Sequence, residues 1–293
     1  MKKIFSQVKL SRNESKNLKK LYYHYNLKRI LSKSGIMKLR GIEIFTLINL
    51  MLIMILENSN SIYQGIFRNG FTSYKSTLNN MLNNPNYNWR RYLYSVSKIF
   101  IRKCYNADSD IGCLIIDDTS KEKAGHKVQW LSWFFDHSTN NYFKGFQNIL
   151  CAFSNGRTAI PLDFEYKIGK AKTKHYTRSN YEKGSHAEQR VRFAMQKKST
   201  ITMQMIKRAF QRNIQFKYIL WDSWYNSSSA MRFISKVINS KGVHLISMLK
   251  RGSTKYRYRG SHYSLKELNQ KAGKWTKDRK TGIKSKSIIV EYL

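Results

Sequence analysis

The stretch Cys113-Leu114-Ile115-Ile116-Asp117-Asp118-Thr119-Ser120 decides the reading of this chain. It is a short apolar run that ends in two carboxylates, in a sequence where carboxylates are scarce. A run of branched aliphatics of that length, bounded by polar residues, suits a buried strand. Strand side chains alternate, so Asp117 and Asp118 point to opposite faces. A salt bridge suits Asp117, which leaves Asp118 as the candidate for chemistry. A second stretch repeats the pattern. Phe216 to Trp221 is an apolar strand followed by Asp222 and Ser223. Ligands in open α/β sheets gather at the carboxyl ends of strands. If the two strands are neighbours, Asp118 and Asp222 meet in one crevice. Two adjacent carboxylates suit a hard divalent cation such as Mg²⁺, which leaves positions for phosphate oxygens. The same pattern also suits strand-end caps or salt-bridge partners, and the residues alone leave both open.

Charge narrows the partner. The 293 residues hold 54 Lys and Arg against 17 Asp and Glu, a net charge of +37. Self-repulsion at that level destabilises a compact state, so a polyanion is the natural partner, and nucleic acid the natural polyanion. A genome biased towards Lys codons raises Lys without suppressing the acids. With 41% hydrophobic residues and only 2 Pro, the chain can build a sizeable core and does not read as disordered. Cys104, Cys113 and Cys151 form no metal-ligand or disulfide spacing, which fits a reducing, cytoplasmic and nucleoid-associated setting. The N-terminus has no signal-peptide core. Ile44 to Leu56 is apolar but too short to span a membrane.

Three segments follow. Residues 1–107 carry 19 Lys or Arg and three acids, Glu14, Glu43 and Glu57. Their apolar spacing predicts helices, with Asn83-Asn84-Pro85-Asn86 as a stop and a new helix from about Asn88 that carries Arg90 and Arg91, two candidate DNA contacts. Two short helices around Gly70 suit either a helix-turn-helix or plain bundle packing. Residues 108–249 alternate strands and helices. Strands are expected at Leu114–Ile116, Tyr142–Phe153 and Ala159–Ile168, while Val128–Asp136 could be a strand or a connection. Ser185 and Glu188 form a capping box that opens a helix running to about Arg212. Residues 250–293 are basic, with short strand-like pieces.

Other candidates are weaker. Asp136, Asp163 and Glu165 read as structural acids. His126, His137, His175 and His186 lack ligand spacing. Basic and aromatic residues interleave in Lys170–Lys183, where Lys170, Lys172, Lys174 and Arg178 suit contacts to a DNA backbone. Trp221 and Trp224 suit core packing or a flipped base.

Taken in order, Leu114–Ser120, Phe135-Asp136-His137, Lys144-Gly145, Asn155-Gly156, Ile160–Phe164 and Leu220–Tyr225 resemble the DDE transposases of bacterial insertion sequences, in the group with a β-rich insertion before the last acid. Leu82–Pro85 with Asn88–Arg91 resembles that group's N-terminal region. The resemblance covers roughly 60–250. It implies an α/β fold: an RNase H-like mixed sheet with flanking helices, preceded by an α-helical N-terminal domain that binds DNA. It implies that Asp118 and Asp222 are the first two catalytic, metal-binding acids, with Mg²⁺ or Mn²⁺ in a two-ion site in the complete enzyme. The third acid is a Glu in a Tyr-x2-Arg-x3-Glu-x6-Lys pattern, which is absent here. Glu267 and Glu291 lack the preceding Tyr and Arg. The expectation is a C-terminally truncated chain that stops inside the insertion. Its expected function is cut-and-paste DNA transposition, with little activity alone. The expected partners are DNA (element ends and target) and a second copy, as a homodimer on DNA, with no membrane. Two alternatives are a DNA-binding remnant that inhibits intact transposase, and a structure-selective nuclease of the same fold.

Overall fold

The computed structural model describes residues 12–38, 40–59, 61–68, 74–125, 128–136, 139–169, 181–249 and 254–292. The N-terminal region is helical: α1 (Arg12–His24), α2 (Leu27–Lys33), α3 (Ile44–Leu56), α4 (Ile62–Arg68), α5 (Lys75–Leu82) and α6 (Trp89–Cys104). Asn26, in the left-handed region at φ 48°, separates α1 from α2. Helix α3 is the centre of this layer. Its Leu47, Leu50 and Ile53 are fully buried, each contributing about 1.5–3 kcal/mol relative to exposure. Ile66 of α4 and Leu78 of α5 join the same cluster. The turn between α4 and α5, with Gly70, lies outside the described residues.

Helix α6 has two apolar stripes, and that fixes its place. Tyr94 and Ile101 are buried in the core built around the sheet. Trp89, Tyr92, Val96 and Ile99 pack on the helical cluster instead. The spacings are helical on both faces. The expected segments 1–107 and 108–249 are therefore joined through a helix that both cores use, and residues 1–246 form one compact unit.

The sheet holds β1 (Cys113–Glu122), β2 (Ser132–Asp136), β3 (Asn141–Ser154), β4 (Ala159–Lys167), β5 (Tyr218–Trp221) and β6 (His244–Ser247). β3 runs antiparallel to β1 on one edge and to β4 on the other. β5 then adds in parallel to the far edge of β1, and β6 follows it. Three antiparallel strands continued by a parallel strand after a helical crossover give the RNase H-like order expected from the sequence. β2 pairs with the start of β3. Gly145 has Glu122 as its partner on one side and Ser132 on the other, so β2 extends the β4 edge. The aromatic piece before Asp136 is thus a strand, but not one of the three central ones.

Between β4 and β5 the expected single helix is two, α7 (His186–Ala194) and α8 (Lys198–Gln211). Ser185 does cap α7 by accepting a hydrogen bond from the Glu188 amide. The chain breaks because the Ala194 carbonyl is taken by the Ile168 amide at 3.0 Å and by Lys167 Nζ at 3.1 Å. Lys197 is extended and a new helix starts after it. Ile201, Met205, Ile206 and Ala209 of α8 then cover the sheet. The helix after β5, α9 (Ser228–Phe233), is capped by Ser227.

Residues 247–293 form a separate unit. A three-stranded sheet joins Lys255–Tyr258 to Ser261–Ser264 and Glu291–Tyr292. A reciprocal capping box, Ser264 with Glu267, opens its helix Leu265–Lys271. Glu267 is thereby engaged in a cap. No helix of the described residues is long and apolar enough to cross a membrane.

Candidate active site

β1 runs past its apolar half to Glu122, so Asp118 lies within a strand rather than at its end. Leu114 and Ile116 are buried, and alternation puts Asp118 on their face, towards α8. Asp117 faces the other way and is exposed. Its Oδ1 accepts a hydrogen bond from the Asp118 amide at 2.8 Å.

β5 is the strand beside β1, and Ile116 is in register with Trp221. Asp222 follows directly, so the two acids reach the same end of neighbouring strands. Asp222 caps a single turn, Ser223–Tyr225, with its Oδ1 accepting from the Ser223 amide at 2.5 Å. Trp221 donates to Asn226 Oδ1 at 2.8 Å, which closes the loop. The turn folds Tyr225, fully buried, under the sheet, where its hydroxyl donates to Asp118 Oδ1 at 2.9 Å. Burial pushes the Tyr225 phenol well above its ordinary range, and the carboxylates of Asp118, Asp117 and Asp222 push it in the same direction. One buried hydroxyl thus feels all three acids.

Two further side chains hold Asp118. Gln147 of β3 donates to Oδ2 at 2.8 Å, and Lys198 at the start of α8 donates to the same oxygen at 3.0 Å. Asp118 opens onto a cleft of about 980 Å³ that also meets Trp133, Tyr142 and Trp224. Trp133 is 62% exposed and Tyr142 71% exposed. Trp221 is a core residue, whereas Trp224 lines this cleft.

The donor set suits a hard cation. Asp118 and Asp222 offer carboxylate oxygens, the ligand type a hard cation takes. Among the described residues, no group of three His, Cys, Asp or Glu side chains is placed to hold an ion. A divalent ion held by Asp118 and Asp222 would take its other ligands from water and phosphate oxygens.

The other sequence candidates separate. Arg90 is engaged inside the protein. It donates to Asp163 Oδ1 at 2.8 Å and pairs with Glu165, both with fully buried carboxylates. Arg208 holds Asp163 Oδ2 at 2.6 Å. This cluster bolts α6, β4 and α8 together, and its charge is spent internally. Arg91 is exposed on the rim of a cleft with Lys207 and Arg212. Lys170, Lys172, Lys174 and Arg178 lie outside the described residues, as do His126, His137 and His175. Gln147, Lys198 and Tyr225 were not singled out from sequence. The helix break before Lys198, the register of β3 against β1 and the turn capped by Asp222 bring them to Asp118.

An RNase H-like sheet with Asp118 within β1 and Asp222 directly after the neighbouring β5 is the frame of the candidate site. The chain belongs to the DDE superfamily endonucleases, whose family profile matches residues 68–285. Enzymes of this superfamily generally use divalent metal ions. No curated protein matches the sequence. Among solved structures, the Drosophila P element transposase strand transfer complex is similar at a TM-score of 0.35 and 8% identity, over 87% of this chain and 55% of that one. The chain therefore spans about half the length of that transposase.

Proposed function

We propose that this chain carries the DNA-cleavage site of a cut-and-paste transposase of the bacterial insertion-sequence type, with Asp118 and Asp222 as catalytic metal ligands. The observation that carries the reading is that Asp118 lies on β1 and Asp222 directly follows its partner strand β5, with Tyr225, three residues past Asp222, bonded to Asp118, in a chain of net charge +37. When bound there, Mg²⁺ or Mn²⁺ supplies Lewis-acid polarisation of the scissile phosphate and a more acidic water or 3′-hydroxyl. The protein's own part is to hold the acids. Gln147 and Tyr225 fix the Asp118 carboxylate in one orientation. The Ser223 amide fixes Asp222. DNA runs over the basic surface, with Arg91 and the segment containing Lys170, Lys172, Lys174 and Arg178 as backbone contacts, and a second copy completes a dimer on DNA.

A second reading is favoured by one observation. These 293 residues contain no Tyr-x2-Arg-x3-Glu-x6-Lys pattern, so the third acid is not supplied by it here. On that reading the chain binds DNA, and inhibits intact transposase, without cutting. The test is nicking of supercoiled plasmid with Mn²⁺, run beside a gel shift. Weak nicking that Asp118→Asn and Asp222→Asn both abolish, with DNA binding intact, supports the first reading. Binding without nicking supports the second. Failure to bind DNA at low salt overturns both.

A further inference from the structure

Lys198 is the first residue of α8, and its ammonium stands 3.0 Å from Asp118 Oδ2. A cation in the first turn of a helix opposes the helix dipole. Its position therefore needs a compensating anion, and Asp118 is the carboxylate it meets. Thr202, fully buried, donates through its hydroxyl to the Lys198 carbonyl at 2.9 Å. Gln147 and Tyr225 are neutral donors to Asp118, so they can orient the carboxylate without cancelling its charge. Lys198 cancels it. The pair is also reachable from the cleft, with side chains 31% and 19% exposed.

Resting on the reading of Asp118 as a metal ligand, we propose that Lys198 is a tethered counter-cation of the site. It occupies the charge position of the divalent ion in the metal-free protein and must leave Asp118 Oδ2 for the ion to bind. A lysine suits this role, because a compact charge on a flexible stem can swing away without disturbing the helix. The exchange makes metal affinity a property of a residue that is not itself a ligand.

The experiment is Mn²⁺ titration of the full-length chain at fixed ionic strength, followed by the electron paramagnetic resonance signal of free Mn²⁺. Lys198→Gln removes the competing charge and is expected to bind Mn²⁺ roughly tenfold more tightly than wild type. Lys198→Arg keeps the charge and is expected to stay within about threefold of wild type. Asp118→Asn removes the ligand and is expected to bind far more weakly. Equal or weaker binding by Lys198→Gln, with circular dichroism unchanged, overturns the proposal and leaves the metal reading standing. No Mn²⁺ binding by either wild type or Lys198→Gln overturns the metal reading, and the counter-cation with it. Lys198→Gln touches a part-exposed first-turn position, and Lys198→Arg tests the charge again with a different side chain.

Discussion

Tyr225 shows how one residue ties the two strand ends together. Its ring fills the core beneath the sheet, and its hydroxyl is spent on Asp118. Tyr225→Phe keeps the ring and removes the donor, so it is expected to cost about 0.5–1.5 kcal/mol of stability at neutral pH. The pH dependence has a definite sign. The folded phenol is raised by burial and by the neighbouring carboxylates, while the unfolded phenol ionises near pH 10. Below about pH 10 both states keep the proton and the contribution is constant. Above it the unfolded state loses the proton first, so stability falls as pH rises. Urea midpoints at pH 8, 9, 10 and 11 for wild type and Tyr225→Phe check this. The variant is expected to decline less steeply above pH 10, and parallel declines would show that the hydroxyl is not held as described. Asp118 and Asp222 were legible in the sequence because each ends a local apolar run. Tyr225, Gln147 and Lys198 were not, since they lie 107, 29 and 80 residues from Asp118 along the chain. No local pattern marks contacts of that range.

At the scale of elements, the site depends on the long β3 staying in register with β1, because that register places Gln147 near Asp118. Asp118 is paired with Ile149, and Gln147 with Ser120. Gly145 is where three strands crowd. A Cβ there would lie 2.3 Å from the Lys121 carbonyl oxygen and 3.0 Å from Glu122 Cα. Backbone cannot move aside as a side chain can. Gly145→Ala is therefore expected to destabilise the protein by about 1–3 kcal/mol and to loosen the distal part of β1. Thermal melts give the first quantity. Hydrogen exchange gives the second, as faster exchange at Lys121 and Lys123 than in wild type. Unchanged melting and exchange would mean that this strand end is not packed as described. The strands of the sheet were readable because their apolar runs are short and bounded by turns. The break between α7 and α8 was not. Apolar spacing continues across it, and the groups that interrupt it, the Ile168 amide and Lys167, arrive from β4.

The 1–246 unit is organised by α6, which serves two cores. Tyr94 and Ile101 complete the core of the sheet, and Arg90 neutralises Asp163 and Glu165 beneath it. Burial raises the Glu165 carboxyl against the pull of Arg90 and Arg190, so its charged form depends on these two guanidinium groups. The sequence showed a basic helical region and a texture change near residue 112, which invites a division there. It could not show that Arg90, one of its DNA-contact candidates, faces inward, because a buried ion cluster leaves no periodic signature. Replacing Arg90 by Met leaves Asp163 to Arg208 alone and Glu165 to Arg190 at 3.7 Å, and breaking the buried pairs is expected to cost about 3–5 kcal/mol. Removing residues 1–107 is more drastic, since it takes away Arg90 together with the apolar face that covers β4. The piece 108–293 is therefore expected to lose near-ultraviolet circular dichroism and to melt without a cooperative transition, while the full chain melts its 1–246 unit in one step. A sharp melt of 108–293 with native-like near-ultraviolet signal would overturn this, and would make the sheet and its two acids an independent domain to which the helical region is merely attached.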